Sequence, residues 1–122
     1  MKLSEVKRFL SADVICGDEW LEQEAACACG ADLMSDVLAF TKERTVLLTG
    51  LTNIQVIRTA EVSDLVGIVF VRGKRPGQEL IQLAQTKGIP LFVTEYPMYE
   101  ACGRLYKNGL QGCFQRVMVH AT

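Results

Sequence analysis

The sequence predicts an α/β fold, a compact three-layer sandwich with a mainly parallel central sheet and flanking helices. Three observations predict it. Apolar runs of strand length recur at Thr45–Thr49, Gly67–Val71 and Ile89–Thr94, as in strands covered on both faces. Between and after them, apolar residues fall at helical spacing. The connections are short and rich in turn residues. Alternation of this kind implies parallel strands joined by right-handed crossovers. A chain of 122 residues, 49% hydrophobic and 22% charged, fits one domain with a substantial core.

In chain order, Ser4 is a helix cap for a segment reaching about Ser11, with Val6, Phe9 and Leu10 on one face. Val14-Ile15-Cys16 reads as a short strand stopped by Gly17-Asp18, and Glu19–Glu24 as a loop anchored by Trp20. The small residues Ala25–Gly30 suit a strand packed closely against its neighbours. A helix follows to about Lys42, with Leu33, Met34, Val37, Leu38 and Phe40 at helical spacing and Lys42 and Arg44 near its C-terminal end, where the helix dipole favours cations. Thr52 or Asn53 caps the next helix, from about Ile54 to Val62, and Ser63-Asp64-Leu65 closes that segment. Arg72–Gly77 is a loop whose Pro76 suits a helix start. The helix Gln78–Lys87 stops at Gly88. The last helix, from about Met98 to Lys107, is expected to bury Met98, Ala101, Cys102, Leu105 and Tyr106 and to end at Asn108-Gly109. The tail from Gly112 to His120 alternates in part, as an edge strand or an arm reaching a partner chain would.

A net charge of -1 and a pI of 5.8 give no basic stripe for nucleic acid. No apolar run is long enough to span a bilayer. The N-terminus mixes charges without a signal-type apolar segment, so the chain is expected to be cytoplasmic. Five cysteines, an odd count, argue against a disulfide framework and for reduced, mostly buried thiols. Cys27-x-Cys29 lacks the ligands a zinc or iron–sulfur site needs, so no metal or cofactor is expected.

Ligands in parallel sheets sit outside the carboxyl ends of the strands. Three predicted loops meet that condition: Thr49–Asn53, Arg72–Pro76 and Thr94–Pro97. In the first, Gly50 allows close backbone approach while Thr49, Thr52 and Asn53 offer hydroxyl and amide groups; the alternative is a plain turn and helix cap. In the second, Arg72, Gly73, Lys74 and Arg75 suit an anion; the alternative is a solvated basic loop. Thr94 completes the set. Ser35 and Asp36, preceded by Gly30 and Asp32, face either a pocket or solvent. No P-loop and no nucleophile–base pair stands out, so no catalytic residues are assigned.

Taken together, Asp32–Ala39, Thr49 with Asn53-Ile54, Gly67-Ile68-Val69, Arg72-Gly73 with Pro76, Gly88–Leu91, and Gly103–Tyr106 before Gly109 resemble the DRTGG-domain group. That domain is similar to the N-terminal domain of HPr kinase/phosphorylase, and occurs in phosphotransacetylases and beside CBS domains in regulatory pyrophosphatases. The resemblance is greatest to small stand-alone members of anaerobic bacteria and archaea, some encoded near iron hydrogenase genes. The name-giving motif is altered: Leu51-Thr52 stands where Asp-Arg is expected, and Arg72-Gly73 where Thr-Gly-Gly is. The resemblance implies an α/β sandwich with a regulatory role, often dimeric, and no kinase activity. The resulting expectation is a non-catalytic regulatory homodimer that binds a small anionic metabolite or nucleotide. The alternative is a module that docks on a protein partner, an enzyme or regulator of anaerobic metabolism, without a small ligand.

Overall fold

The computed structural model describes residues 1–113. Its elements are α1 (Leu3–Phe9), β1 (Asp13–Cys16), a 3-10 turn (Asp18–Trp20), β2 (Cys27–Gly30), α2 (Met34–Phe40), β3 (Thr45–Thr49), α3 (Gln55–Ser63), β4 (Leu65–Phe70), α4 (Gln78–Lys87), β5 (Leu91–Val93) and α5 (Met98–Lys107). Five strands form one sheet in the order β1-β5-β4-β3-β2. β2, β3, β4 and β5 run parallel, and β1 pairs antiparallel with β5. This is the predicted α/β sandwich with a mainly parallel sheet.

Strand alternation builds the layers. Leu47, Ile68, Phe70 and Leu91 point to one face, where Val37, Val56, Ile57, Leu80 and Ala84 from α2, α3 and α4 cover them. Val46, Leu48, Val69 and Phe92 point to the other, against Leu3, Val6 and Leu10 from the α1 segment and Ala101 and Leu105 from α5. Every residue of β3 is buried.

The helix ends differ from expectation where a local rule met a tertiary contact. Lys2 precedes α1, and its N–H donates to Glu5 Oε1 at 2.9 Å; Ser4 lies inside the helix because Leu3 and Ser4 N–H groups bond to Gln23 and Leu21 carbonyls. α2 stops at Phe40, where the Thr41 hydroxyl donates to the Val37 carbonyl at 2.7 Å, so Lys42 and Arg44 lie beyond it. Of its apolar residues Val37 is buried, while Leu33, Leu38 and Phe40 are exposed. Asp64 adopts the left-handed conformation that ends α3, which frees Leu65 to start β4. Pro76 sits one residue before the α4 N-cap Gly77, and Tyr106 is exposed.

After α5 the chain turns back along the open side of β2. Ala28 N–H donates to Gln111 O at 2.9 Å, and Gly112 bridges Ala28 in parallel. This brings Cys113 onto Cys27 as a disulfide pair, with Cα atoms 5.4 Å apart, which corrects the expectation of reduced thiols throughout. Cys16, Cys29 and Cys102 are free. An odd count leaves one thiol over but does not stop two others from meeting. The rest of the tail expected as strand or arm, 114–122, lies outside the described residues.

The two cores should carry the stability. Leu47→Ala and Phe92→Ala should each cost about 3–5 kcal/mol, and Leu38→Ala within about 0.5 kcal/mol, read from urea denaturation midpoints.

Candidate ligand-binding site

Parallel pairing puts the carboxyl ends of β2, β3, β4 and β5 at one edge of the sheet, so four loops meet there, one more than the sequence suggested. The added loop, after β2, brings Asp32. Its Oδ1 accepts hydrogen bonds from Gly50 N–H at 2.7 Å and the Thr49 hydroxyl at 3.0 Å. The Thr49 hydroxyl in turn accepts from Leu51 N–H at 3.1 Å. A side-chain carboxylate therefore already occupies the anion-attracting position of the β3–α3 turn.

The Arg72–Gly73 turn is closed in a comparable way. Both residues have positive φ, 58° and 67°, a conformation that is costly for arginine. It directs Arg72 N–H to Tyr96 O at 2.9 Å and Gly73 N–H to Thr94 O at 2.8 Å, tying the β4 and β5 loops together. Glycine suits position 73 through its positive φ, whereas a Cβ there would only push aside the flexible Glu95 carboxylate that lies 2.9 Å from its place. The Gly50, Leu51, Arg72 and Gly73 N–H groups are thus engaged within the fold, so an anion is met by side chains or has to displace one of these acceptors. The Arg72 guanidinium lies against Gly50, its Nη2 3.3 Å from where a Cβ would stand, with the Asp32 carboxylate on the same spot at 3.6 Å. Along the edge the order is Asp32, Gly50, Arg72, Glu95. A cation beside one acid, with a second acid in the neighbouring loop, suits a ligand that carries an anionic group and hydroxyl donors together.

The remaining sequence candidates divide. Lys74 is exposed beside Arg72. Arg75 pairs instead with Asp13 at 3.2 Å in an exposed bridge, which contributes little stability. Thr94 is buried; its hydroxyl donates to Leu10 O at 2.7 Å and accepts from Tyr96 N–H at 3.3 Å. Asn53 Oδ1 accepts from Gln55 N–H at 3.0 Å, the capping role weighed for it. Thr52 is half-buried, and Ser35 and Asp36 are exposed on α2 with no hydrogen bond to the cluster among the described residues. Asp32 and Glu95 were missed as site residues. The signal for Asp32 was its position two residues past the small-residue strand Ala25–Gly30, had that strand been taken as parallel.

No group of metal-ligating side chains is present among the described residues, and no described helix is long and apolar enough to cross a membrane. Burial pushes the thiols of Cys16, Cys29 and Cys102 upward; the Asp36 carboxylate adds to this at Cys29, and Cys29 adds to it at Cys102.

Two measurements check these assignments. Asp32→Ala, which strips the acceptor from Gly50 and the buried Thr49, should cost about 1–2 kcal/mol, and Asp32→Asn less, in urea denaturation. Because a raised thiol pKa leaves less thiolate at a given pH, alkylation of the free cysteines in the folded protein should lag that of a short peptide at pH 8. It should still be accelerating above pH 9.0, where a reference thiol is half ionised.

Among curated proteins none matches the chain significantly. The structure is similar to the crystal structure of the CBS and DRTGG domains of the regulatory region of Clostridium perfringens pyrophosphatase complexed with an activator, diadenosine tetraphosphate. The TM-score is 0.67 at 17% identity, over 98% of this chain and 53% of that one. The likeness is one of fold, and the chain spans about half the length of that relative. The DRTGG domain profile matches residues 5–107, from within α1 to the last residue of α5, and the chain belongs to the DRTGG domain family.

Proposed function

We propose that the protein is a non-catalytic regulatory module, a homodimer, that binds a small anionic metabolite or nucleotide at the carboxyl edge of its sheet. The observation that carries this is the Arg72 guanidinium lying against Gly50 beside the Asp32 carboxylate, with the Glu95 carboxylate against Gly73 in the loops next to it. A nucleotide matches that charge order best: its phosphate pairs with Arg72 and Lys74, and its ribose hydroxyls donate to the carboxylates. Asp32 is a placeholder in this scheme. A phosphate approaching Gly50 N–H displaces it, and the released Asp32 changes how the β2 loop is tied to β3. That coupling is a means of regulation. The pyrophosphatase regulatory region of the same fold, crystallised with a dinucleotide activator, supports a nucleotide over an organic acid.

A thermal-shift screen of nucleotides, diadenosine tetraphosphate included, with acyl phosphates and organic acids, tests the reading. At least one nucleotide should raise the melting temperature, and Arg72→Ala should weaken its binding about tenfold or more, as expected for loss of a charge-assisted hydrogen bond. No stabilisation by any compound at millimolar concentration overturns it.

One observation favours a second reading, a protein-docking module without a small ligand. Leu33, Leu38 and Phe40 of the α2 segment and Val62 of α3 are large apolar residues left exposed. A stoichiometric protein complex that survives Arg72→Glu with Arg75→Glu, but not Phe40→Asp, would support this alternative.

A further inference from the structure

The outer face of α5 is the least explained surface of the molecule. Tyr99 and Tyr106, 84% and 62% exposed, stand two turns apart on one side of the helix, with Gly103 between them. Nothing lies within 4 Å of where a Gly103 Cβ would be. The result is an open groove of about 640 Å³ between two aromatic rings, bordered by Glu100 and Lys107. Two further details bear on this face. Arg104, one turn after Glu100 and its natural intrahelical partner, is instead drawn over the Tyr96 ring, 4.0 Å from its centroid. Among the described residues neither Glu100 nor Lys107 enters an ion pair.

We infer that this face seats a second copy of the chain, with the two α5 helices antiparallel about a two-fold axis at Gly103. The pattern is self-complementary only in that orientation. Positions equally far before and after Gly103 then lie opposite one another, so Tyr99 meets the partner's Lys107 and Glu100 meets the partner's Tyr106. Each Glu100 comes within reach of the partner's Lys107, and each tyrosine packs on the stem of a long side chain. A parallel arrangement would set glutamate against glutamate and lysine against lysine. Glycine at the axis lets the helices approach closely, so that the rings beside it close over the seam. The contact is isologous, as a two-fold dimer requires. A ten-residue helix is only about 15 Å long, so the dimer should be concentration-dependent rather than obligate.

This inference rests on the homodimer part of the proposed function and is independent of its ligand. Sedimentation equilibrium of the full chain provides the test. Wild type should dimerise reversibly. Gly103→Arg, whose Cβ meets no atom of its own subunit, should be monomeric with unchanged circular dichroism and a monomer melting temperature no lower than before, since arginine favours a helix interior over glycine. Glu100→Lys and Lys107→Glu should each weaken association about tenfold, and the double exchange should restore most of the loss. A wild-type dimer untouched by Gly103→Arg, or a double exchange no better than the single ones, overturns the α5 interface while leaving dimerisation itself intact. A chain that stays monomeric at millimolar concentration overturns both.

Discussion

Burial of β3 on both faces is the constraint on which the remaining structure depends. Its five residues are all inaccessible, held between β2 and β4 and between two helical layers. A strand so placed can have polar side chains only at its ends, and only if they are satisfied. Thr45 and Thr49 meet that condition. The Thr45 hydroxyl donates to Lys42 O at 2.7 Å and accepts from Lys42 N–H at 3.1 Å. Thr49 donates to Asp32 and accepts from Leu51 N–H. The core strand thereby dictates the shape of the loops at both of its ends.

The same device recurs at the end of β5. Thr94, like Thr49, accepts a hydrogen bond from the N–H two residues on, a threonine turn that at Thr94 bends the chain without a glycine. With Arg72 and Gly73 N–H groups bonded to the β5 loop, the carboxyl edge is tied together by its own backbone. Arg72, leaning on Gly50 beside Asp32, and Glu95, against Gly73, are the charged side chains gathered there. The edge thus carries charges of both signs, Arg72 and Lys74 with Asp32 and Glu95, rather than those of a purely basic loop.

β2 raises a different problem. It lies at the sheet edge, where unpaired backbone groups invite association. Gln111 and Gly112 cover it at Ala28, and Cys27–Cys113 fastens that cover. On the adjoining layer, close approach is made possible by a missing side chain: a Cβ on Gly30 would lie 2.6 Å from Cys102 Sγ. Small residues in β2 thus let α5 pack down on the sheet, which fixes which side of α5 is left facing outward.

Local pattern was enough for the architecture. Apolar runs identified β3, β4 and β5, and helical spacing with Gly88 set α4 and α5 at the bounds the structure has, because burial on both faces and helix termination leave marks in consecutive residues. Arg72 and Gly50 were legible as edge residues for the same reason, since a parallel strand followed by a helix has its carboxyl end at the ligand-binding side. Other features required long-range contacts that no run of neighbours encodes. Asp32 and Thr49 stand 17 positions apart in the chain, yet one carboxylate answers two donors of the β3 turn. The basic stretch Arg72–Arg75 reads as one cluster, but Arg72 leans on Gly50 while Arg75 pairs with Asp13, 62 residues away in sequence. The α2 spacing predicted an inward face for Leu33, Leu38 and Phe40, whereas the short helix meets the core through Val37. Sequence by itself determined which segments become strands and helices and at which end of the sheet their loops gather. Tertiary structure decided which polar groups at that end are already satisfied by neighbouring loops, because hydrogen-bond satisfaction depends on distances between loops rather than on order along the chain.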